Sequence, residues 1–342
     1  MAERKINFEI LRVLAMIMVL GLHANFTALK SPSADTILSI DGILRTYLEA
    51  ICFVAVNTFV MISGWFGIKP TLKGFFNFIW QVVYLVGILL VVGVSFFNVP
   101  NSYRTILHII GLFGGGGWFV ASYIGLYIIA PVLNAYVKHH TPKSIILMLS
   151  CFFAFEFIWG NTNSVGFINA GYSTFSFIGI YIFAGLLRKI EVNKRYNCSA
   201  YFSIFIISTA INSILYIAAV NKNIRIEHII FNYINPLIIL GAASLLALFT
   251  KLRESYSVSI NKTILWFSSS CFAVYLLHVG TGYALELFCD GTRAIYFSNS
   301  GLKAFILILL YMACVFIAAI IIDQPRKLIW KKALSPLFKN HV

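Results

Sequence analysis

Long apolar runs, broken by short polar or Gly/Pro-bearing segments, fill the chain from end to end. They fall at residues 8–28, 48–68, 75–97, 118–136, 144–160, 172–189, 200–220, 230–250, 264–285 and 302–322. Each is close to the roughly 20 residues that an α-helix needs to cross a bilayer, and about twice the length of a barrel strand. Backbone N–H and C=O groups cannot stay unpaired in hydrocarbon, so runs of this length are helices. No segment between them exceeds 20 residues, which leaves no room for a separate soluble domain. The pattern predicts an all-α polytopic membrane protein with about ten transmembrane helices, forming one transmembrane domain over residues 1–342.

Composition sharpens this picture. Hydrophobic residues make up 60% of the chain and charged residues 11%, against about 25% charged in soluble domains. So few charges cannot cover a water-facing surface, which excludes a soluble enzyme, a disordered chain and a disulfide-stapled secreted module. The net charge of +14 would suggest a nucleic-acid partner in a soluble protein. Here it reads as positive-inside bias and attraction to anionic lipid headgroups, with no nucleic acid involved. With the N-terminus inside, 18 basic residues fall in inside segments and 7 (Lys30, Arg45, Arg104, Lys222, Arg225, Arg293 and Lys303) in outside ones. Both termini are therefore expected in the cytoplasm, in a multi-pass protein of the plasma (bacterial inner) membrane.

Several features carry no chemistry. Arg4 and Lys5 precede the first run as in a signal peptide, but no small-x-small cleavage site follows, so an uncleaved first helix is expected. The six cysteines form no C-x-x-C and pair with no histidine at metal spacing, so packing roles and no metal site are expected. Gly114–Gly117 lacks the Lys-Ser/Thr of a phosphate loop and reads as a turn into the fourth helix.

Ionisable groups at membrane depth are costly and mark functional sites by default. The first run carries two, Arg12 and His23. Eleven residues at 100° each return to within about 20° of the same face, and eleven rises separate the pair by roughly 16 Å. Both side chains thus face one interior path without touching. A permanent cation at one level and a titratable imidazole at another suit a reaction whose two substrates arrive from opposite sides. A structural reading also stands: Arg12 snorkels beside Glu9, and His23 makes an interhelical hydrogen bond.

The chain resembles the acyltransferase family 3 membrane proteins, which O-acylate cell-surface sugars. Arg12 and His23 match the family's R-x10-H signature. Val56–Phe66, closing in Ser63-Gly64-Trp65, is similar to its second-helix end. Trp118-Phe119, Tyr123, Leu126-Tyr127 and Pro131-Val132-Leu133-Asn134 resemble its Trp…Leu-Tyr…Pro-x-Leu-Asn helix, and Ser270–His278 its Tyr-Leu-x-His segment. The resemblance implies an O-acyltransferase moving an acyl group, most simply acetyl, from acyl-CoA to a hydroxyl of a surface or lipid-linked glycan. Acetyl-CoA would be a co-substrate, with no bound cofactor and with membrane lipids as surroundings. It implies His23 as catalytic histidine and Arg12 as donor-binding residue. Lys69 and Lys73 stand where the family places basic residues for the donor phosphates, although positive-inside topology alone would also put lysines there. Asn57, Ser63, Trp118, Tyr275 and His278 are candidate substrate contacts, with interhelical hydrogen bonding as the other reading of Asn57 and Ser63 and interfacial anchoring that of Trp118.

A histidine base works best with an acidic partner fixing its tautomer. Asp41, Glu49, Glu156 and Glu286 are candidates, and Glu156 stands out because FFAFEFIW holds no other charge. Glu156 is therefore the expected second catalytic residue, with solvation near Gly160 as the other reading. A polysaccharide flippase or polymerase would favour several arginines within its spans, where Arg12 alone is evident. A non-catalytic membrane sensor would leave Arg12 and His23 structural. The basic-residue asymmetry makes a direct prediction: on a cysteine-free background, an impermeant thiol reagent applied outside should label cysteines placed at 161 and 299 and spare one at 341. Labelling at 341 would overturn the orientation.

Overall fold

The computed structural model describes residues 4–99, 117–162 and 166–338. Gly114–Gly116 of the expected glycine turn, Arg104, Lys339 and His341 lie outside the described residues. Every described element is helical, and each of the ten expected runs holds a helix. They are α1 (Ile6–Leu22), α2 (Ile40–Phe53) running into α3 (Ala55–Phe66), α4 (Leu72–Phe96), α5 (Trp118–His139) and α6 (Pro142–Gly160). Then follow α7 (Thr174–Lys189), α8 (Cys198–Asn221), α9 (Pro236–Phe249), α10 (Val258–Ser268), α11 (Cys271–Val279), α12 (Gly282–Ser298) and α13 (Gly301–Ile329).

Among the described residues, eight helices are long and apolar enough to cross a membrane. The chain is an all-α, multi-pass membrane protein. The two expected spans outside that set, α7 and α9, have 16 and 14 residues, about 24 and 21 Å of helix against a hydrocarbon core of about 30 Å. Their late starts have a local cause. Ser173 and Asn235 cap α7 and α9, accepting from Ser176 N at 3.2 Å and Leu237 N at 2.8 Å, and Pro236 occupies the first turn of α9. The expected ninth span also differs: it ends at Val279, and Thr281 caps a separate helix α12, accepting from Ala284 N at 3.2 Å. Thr71, Thr141 and Asn197 cap α4, α6 and α8 in the same way.

The chain divides into two compact units, Met1–Ile68 with Ser122–Leu265, and Lys69–Ala121 with Trp266–Val342. In the first, α1 lies against α2, α3 and α9, while α3 packs on α7 and α9, and α8 on α9 and α2. Close approach depends on small residues, as in membrane bundles generally. A Cβ on Gly64 would run into the Tyr181 carbonyl and lie 2.9 Å from Tyr181 Cα. One on Gly241 would lie 3.0 Å from Val54 and 3.2 Å from the Ser208 hydroxyl.

The irregular stretch before α9 is buried, and asparagines satisfy its backbone. Asn57 Nδ2 donates to Tyr233 O at 2.9 Å, Asn212 Nδ2 to Ile230 O at 3.2 Å, and Asn235 Nδ2 to Ile230 O at 2.8 Å and to Asn212 Oδ1 at 3.0 Å. Non-helical backbone survives at membrane depth only when protein supplies such partners.

In the second unit, α11 packs on α4, α12 and α13. The break before α11 is tied to α13: Ser270 Oγ donates to Asp323 Oδ2 at 2.8 Å. Fully buried Asp323 also receives Arg326 Nε at 2.5 Å and stands 3.3 Å from Lys327 Nζ. Arg326 is 4% exposed, so the expectation that Arg12 alone is evidently buried among the arginines does not hold. Asp323 directly follows the expected end of the last run at residue 322, and Arg326 lies about one turn further.

Gly64 gives a direct test of the packing. Gly64→Ala is expected to cost about 1–3 kcal/mol through overpacking, read as a lower thermal midpoint in detergent. Gly87→Ala on α4, where a Cβ meets nothing within 4 Å, is the matched control and should be neutral or stabilising. Equal midpoints for the two variants would contradict this helix contact.

Candidate active site

Helix α1 stays α-helical from Arg12 to Leu22, so the shared face and the spacing of roughly 16 Å between Arg12 and His23 apply. At His23 the ladder changes. His23–Thr27 is a π turn, in which Ala28 N–H donates to His23 O. Single π turns inside α-helices occur frequently at functional sites, because they widen the helix and re-aim its side chains. Nothing in the run LGLHANFT marks this turn, and periodicity alone misses it.

At the other level, the Arg12 guanidinium pairs with Glu9 one turn back, and Arg4 Nη1 stands 3.9 Å from the other Glu9 oxygen. Glu9 is 2% exposed while the Arg12 side chain keeps a third of its surface. Two cations thus share one buried carboxylate, leaving net positive charge at this level. The hydroxyl of Tyr123 on α5 is 3.2 Å from Ser63 Oγ on α3.

The turn that follows Ser63 is held by a second set of polar groups. Gly67 adopts φ +74°, a left-handed value that glycine takes without strain. Asn134 Nδ2 donates to Ile68 O at 2.8 Å and its Oδ1 accepts from Tyr181 Oη at 2.7 Å, while Ile68 N–H donates to Tyr181 Oη at 2.7 Å. Arg188 Nη1 reaches the α3 terminus, donating to Trp65 O at 3.0 Å. Ser63-Gly64, Tyr123 and Pro131–Asn134, distant in sequence, thereby build one locus.

The turn at the C-terminal end of α1 has its own carboxylate. Asn25 Nδ2 donates to Glu49 Oε2 at 2.8 Å and to Arg45 O at 2.8 Å, Phe26 N–H donates to Glu49 Oε2 at 3.4 Å, and Arg45 Nε donates to Asn25 Oδ1 at 3.1 Å. Glu156 stands elsewhere among the packed helices. It is 1% exposed, its helix α6 packs on α7, and the Ser176 hydroxyl is close to it. Neither of its oxygens has a partner at hydrogen-bonding geometry, so it makes no such bond to His23. Asn57 is fully buried and its Nδ2 is engaged with Tyr233 O, while Oδ1 has no partner.

Lys69, Lys73, Trp118, Tyr275 and His278 belong to the second unit. Both lysines are exposed, Lys73 in the first turn of α4. Asn77 and Gln81 follow at successive four-residue steps along the same helix, with Asn77 Oδ1 and Gln81 Nε2 buried and unpartnered. His278 is buried, its Nδ1 2.6 Å from Val274 O, and its ring meets Tyr275 and Phe288 edge to face. A carbonyl can only accept, so Nδ1 carries the proton in this bond. Tyr275 packs 5.5 Å from Phe119, which in turn stands 5.8 Å from Trp118. Among the described residues no group of three or more His, Cys, Asp or Glu could hold a metal ion.

The arrangement offers a titratable imidazole and a cationic level on one helix, which suits transfer of a group between two substrates. A family comparison agrees with that chemistry. The model of an acyltransferase domain matches residues 5–324, which spans nearly the whole chain and every motif described above. No curated protein and no solved structure matches the chain. With membrane-crossing helices and a match of this extent, the chain belongs to the acyltransferase family 3 of membrane acyltransferases.

Proposed function

We propose that this membrane acyltransferase is an O-acetyltransferase of the cell membrane that moves acetyl from acetyl-CoA to a hydroxyl of a surface or lipid-linked glycan. The observation that carries this reading is the Arg12–His23 pair, eleven residues apart on one α-helical face, with His23 opening a π turn. His23 takes the proton of the acceptor hydroxyl as its oxygen attacks the thioester carbon. The C–O bond forms, the C–S bond breaks, and CoA leaves as the thiolate, which recovers a proton. In the covalent variant the imidazole itself attacks first and then hands the acyl group to the hydroxyl. Glu156 is the second catalytic candidate, a buried carboxylate whose oxygens are not consumed by structural hydrogen bonds.

Arg12 serves the donor as a cation partly neutralised by Glu9 and partly exposed. Lys69 and Lys73 supply point charges for the phosphates of CoA, and the unpartnered Asn77 Oδ1 and Gln81 Nε2 suit the amide-bearing arm that joins those phosphates to the thioester. Ser63, Trp118, Tyr275, His278 and Asn57 are proposed substrate contacts. Ser63 is supported by its place beside Tyr123.

Magnitudes separate catalysis from structure at His23. An interhelical hydrogen bond in a membrane averages about 0.6 kcal/mol, whereas positioned general-base catalysis contributes about 10²–10⁴-fold. His23→Ala, purified and matched for amount, is expected to lose at least about 100-fold in transfer while its thermal midpoint stays near that of the wild type. Acylation is read as an alkali-labile acetyl increment in the mass of the glycan. Transfer within threefold of wild type would refute the assignment. For the donor, combined Lys69→Ala and Lys73→Ala should raise the acetyl-CoA KM about tenfold with kcat within about twofold, since uniform binding is lost and the chemical step is not. An unchanged KM would return both lysines to topology.

A further inference from the structure

Two hydrogen bonds from the turn that ends the first helix converge on one atom. Glu49 Oε2 accepts from Asn25 Nδ2 at 2.8 Å and from Phe26 N–H at 3.4 Å. Asn25 and Phe26 are the third and fourth residues of the π turn that His23 opens. Glu49 and Asn25 are both buried, at 5% and 3% exposure, so these bonds form away from water, where a lost partner is costly to replace. The turn is gripped from the other side as well. Arg45, one turn before Glu49 on α2, accepts Asn25 Nδ2 on its carbonyl at 2.8 Å and donates Nε to Asn25 Oδ1 at 3.1 Å. Its guanidinium lies 5.9 Å over the Phe26 ring and also bonds Lys30 O beyond the turn. Asp41 stands 3.7 Å from the same guanidinium. Both polar atoms of the Asn25 side chain are thus spent on α2.

A π turn lacks the stability of a continuous α-ladder and persists where its surroundings hold it. The side chain most affected by its widening is the one at its first position, His23. We infer that Glu49 is the positioning residue of His23: by accepting Asn25 Nδ2 and Phe26 N–H on one oxygen, it fixes the π turn and with it the direction of the imidazole. Glu49 touches neither substrate in this account and acts through the backbone of the turn. The inference rests on the reading of His23 as the acyl-transfer residue only in its effect on turnover. Its geometric content can be read without turnover.

Because both donors meet the same oxygen, a carboxamide can replace the carboxylate. Glu49→Gln keeps a carbonyl oxygen for Asn25 and Phe26, and Glu49→Ala removes it. The test uses full-length protein in detergent and two readouts. The first is the rate of His23 carbethoxylation by diethylpyrocarbonate, mapped by mass spectrometry and divided by the rates at His139 and His140, which lie on another helix end. Glu49→Ala is expected to change the His23 ratio at least threefold, and Glu49→Gln to restore it. The second is kinetic: Glu49→Ala should lower kcat at least thirtyfold with the donor KM within about twofold, and Glu49→Gln should recover most of that loss.

A merely structural glutamate would lower the thermal midpoint without moving the His23 ratio or splitting kcat from KM, and that result overturns the inference. If His23→Ala proves active while Glu49→Ala still shifts the His23 ratio, the catalytic reading of His23 fails and the positioning stands. If Glu49→Ala does not accumulate, Asn25→Ala decides, since it cuts the side-chain tie and keeps the Phe26 bond. It should shift the His23 ratio in the same direction by a smaller factor, and an unchanged ratio there counts against the inference.

Discussion

Unpaired backbone groups are intolerable in hydrocarbon, and the way this chain meets that demand at each helix end governs where its polar side chains go. Side-chain caps at Thr71, Thr141, Ser173, Asn197 and Thr281 absorb helix N-termini. The opposite ends are met by cations: Arg188 donates to the carbonyls that close α3, and Lys189 to Val137 O at 2.7 Å and His140 O at 2.6 Å behind α5. The irregular approach to α9 consumes Asn57, Asn212 and Asn235. The break before α11 consumes Ser270 and, through it, Asp323. Apart from Ser270 and Asp323, these polar side chains of the described residues are therefore committed to backbone.

Function is then sought in the polar groups that this demand does not consume or consumes for an unusual end. Arg12 keeps a third of its side chain exposed beside a pairing carboxylate, and Asn77 and Gln81 each hold an atom back from any partner. The Asn25–Glu49–Arg45 set is of the second kind. It satisfies a helix that is locally π rather than one that has ended, so its hydrogen bonds maintain a departure from regular geometry. That departure begins at the histidine of the family signature.

The fold was readable because hydrophobic runs of about 20 residues have one solution in lipid, and each of the ten runs holds a helix. Its departures come from interactions that periodicity cannot register. The lateness of α9 follows from the Asn235-Pro236 start signal inside an apolar run. The separate α12 follows from Gly280-Thr281-Gly282, which resembles a mid-span glycine pair until Thr281 caps a new helix. Buried Asp323 and Arg326 were invisible because a terminal basic stretch has the composition of a solvated tail. In the candidate site, Arg12 and His23 were legible from cost alone, since ionisable residues inside a span stand out. Tyr123 and Asn134 could be located only through motif resemblance, because their use is tertiary: Tyr123 meets Ser63, and Asn134 locks the turn after Gly67.

The two glutamates mark where sequence reasoning about charge stops. Glu156 draws the eye because no charge surrounds it in sequence, while Glu49 lies four residues from Arg45 and looks like an ordinary helical pair. In three dimensions Glu49 binds the turn that carries His23, and Arg45 is turned toward Asn25, so the apparent helix-surface pair is a clamp on another helix. Glu156 lies against α7 with both oxygens unpartnered. Isolation in sequence measures what a carboxylate lacks nearby along the chain. The ability to orient a catalytic ring depends on what crosses over from a neighbouring helix, and that is decided by the packing of α2 on α1. Small residues permit that packing: Gly21 on α1 faces Cys52 on α2, where a Cβ would stand 2.9 Å from the sulfur. The close approach that glycine allows two residues before His23 brings Glu49 within hydrogen-bonding distance of the turn, so the helix contact and the proposed positioning of the imidazole have one structural origin.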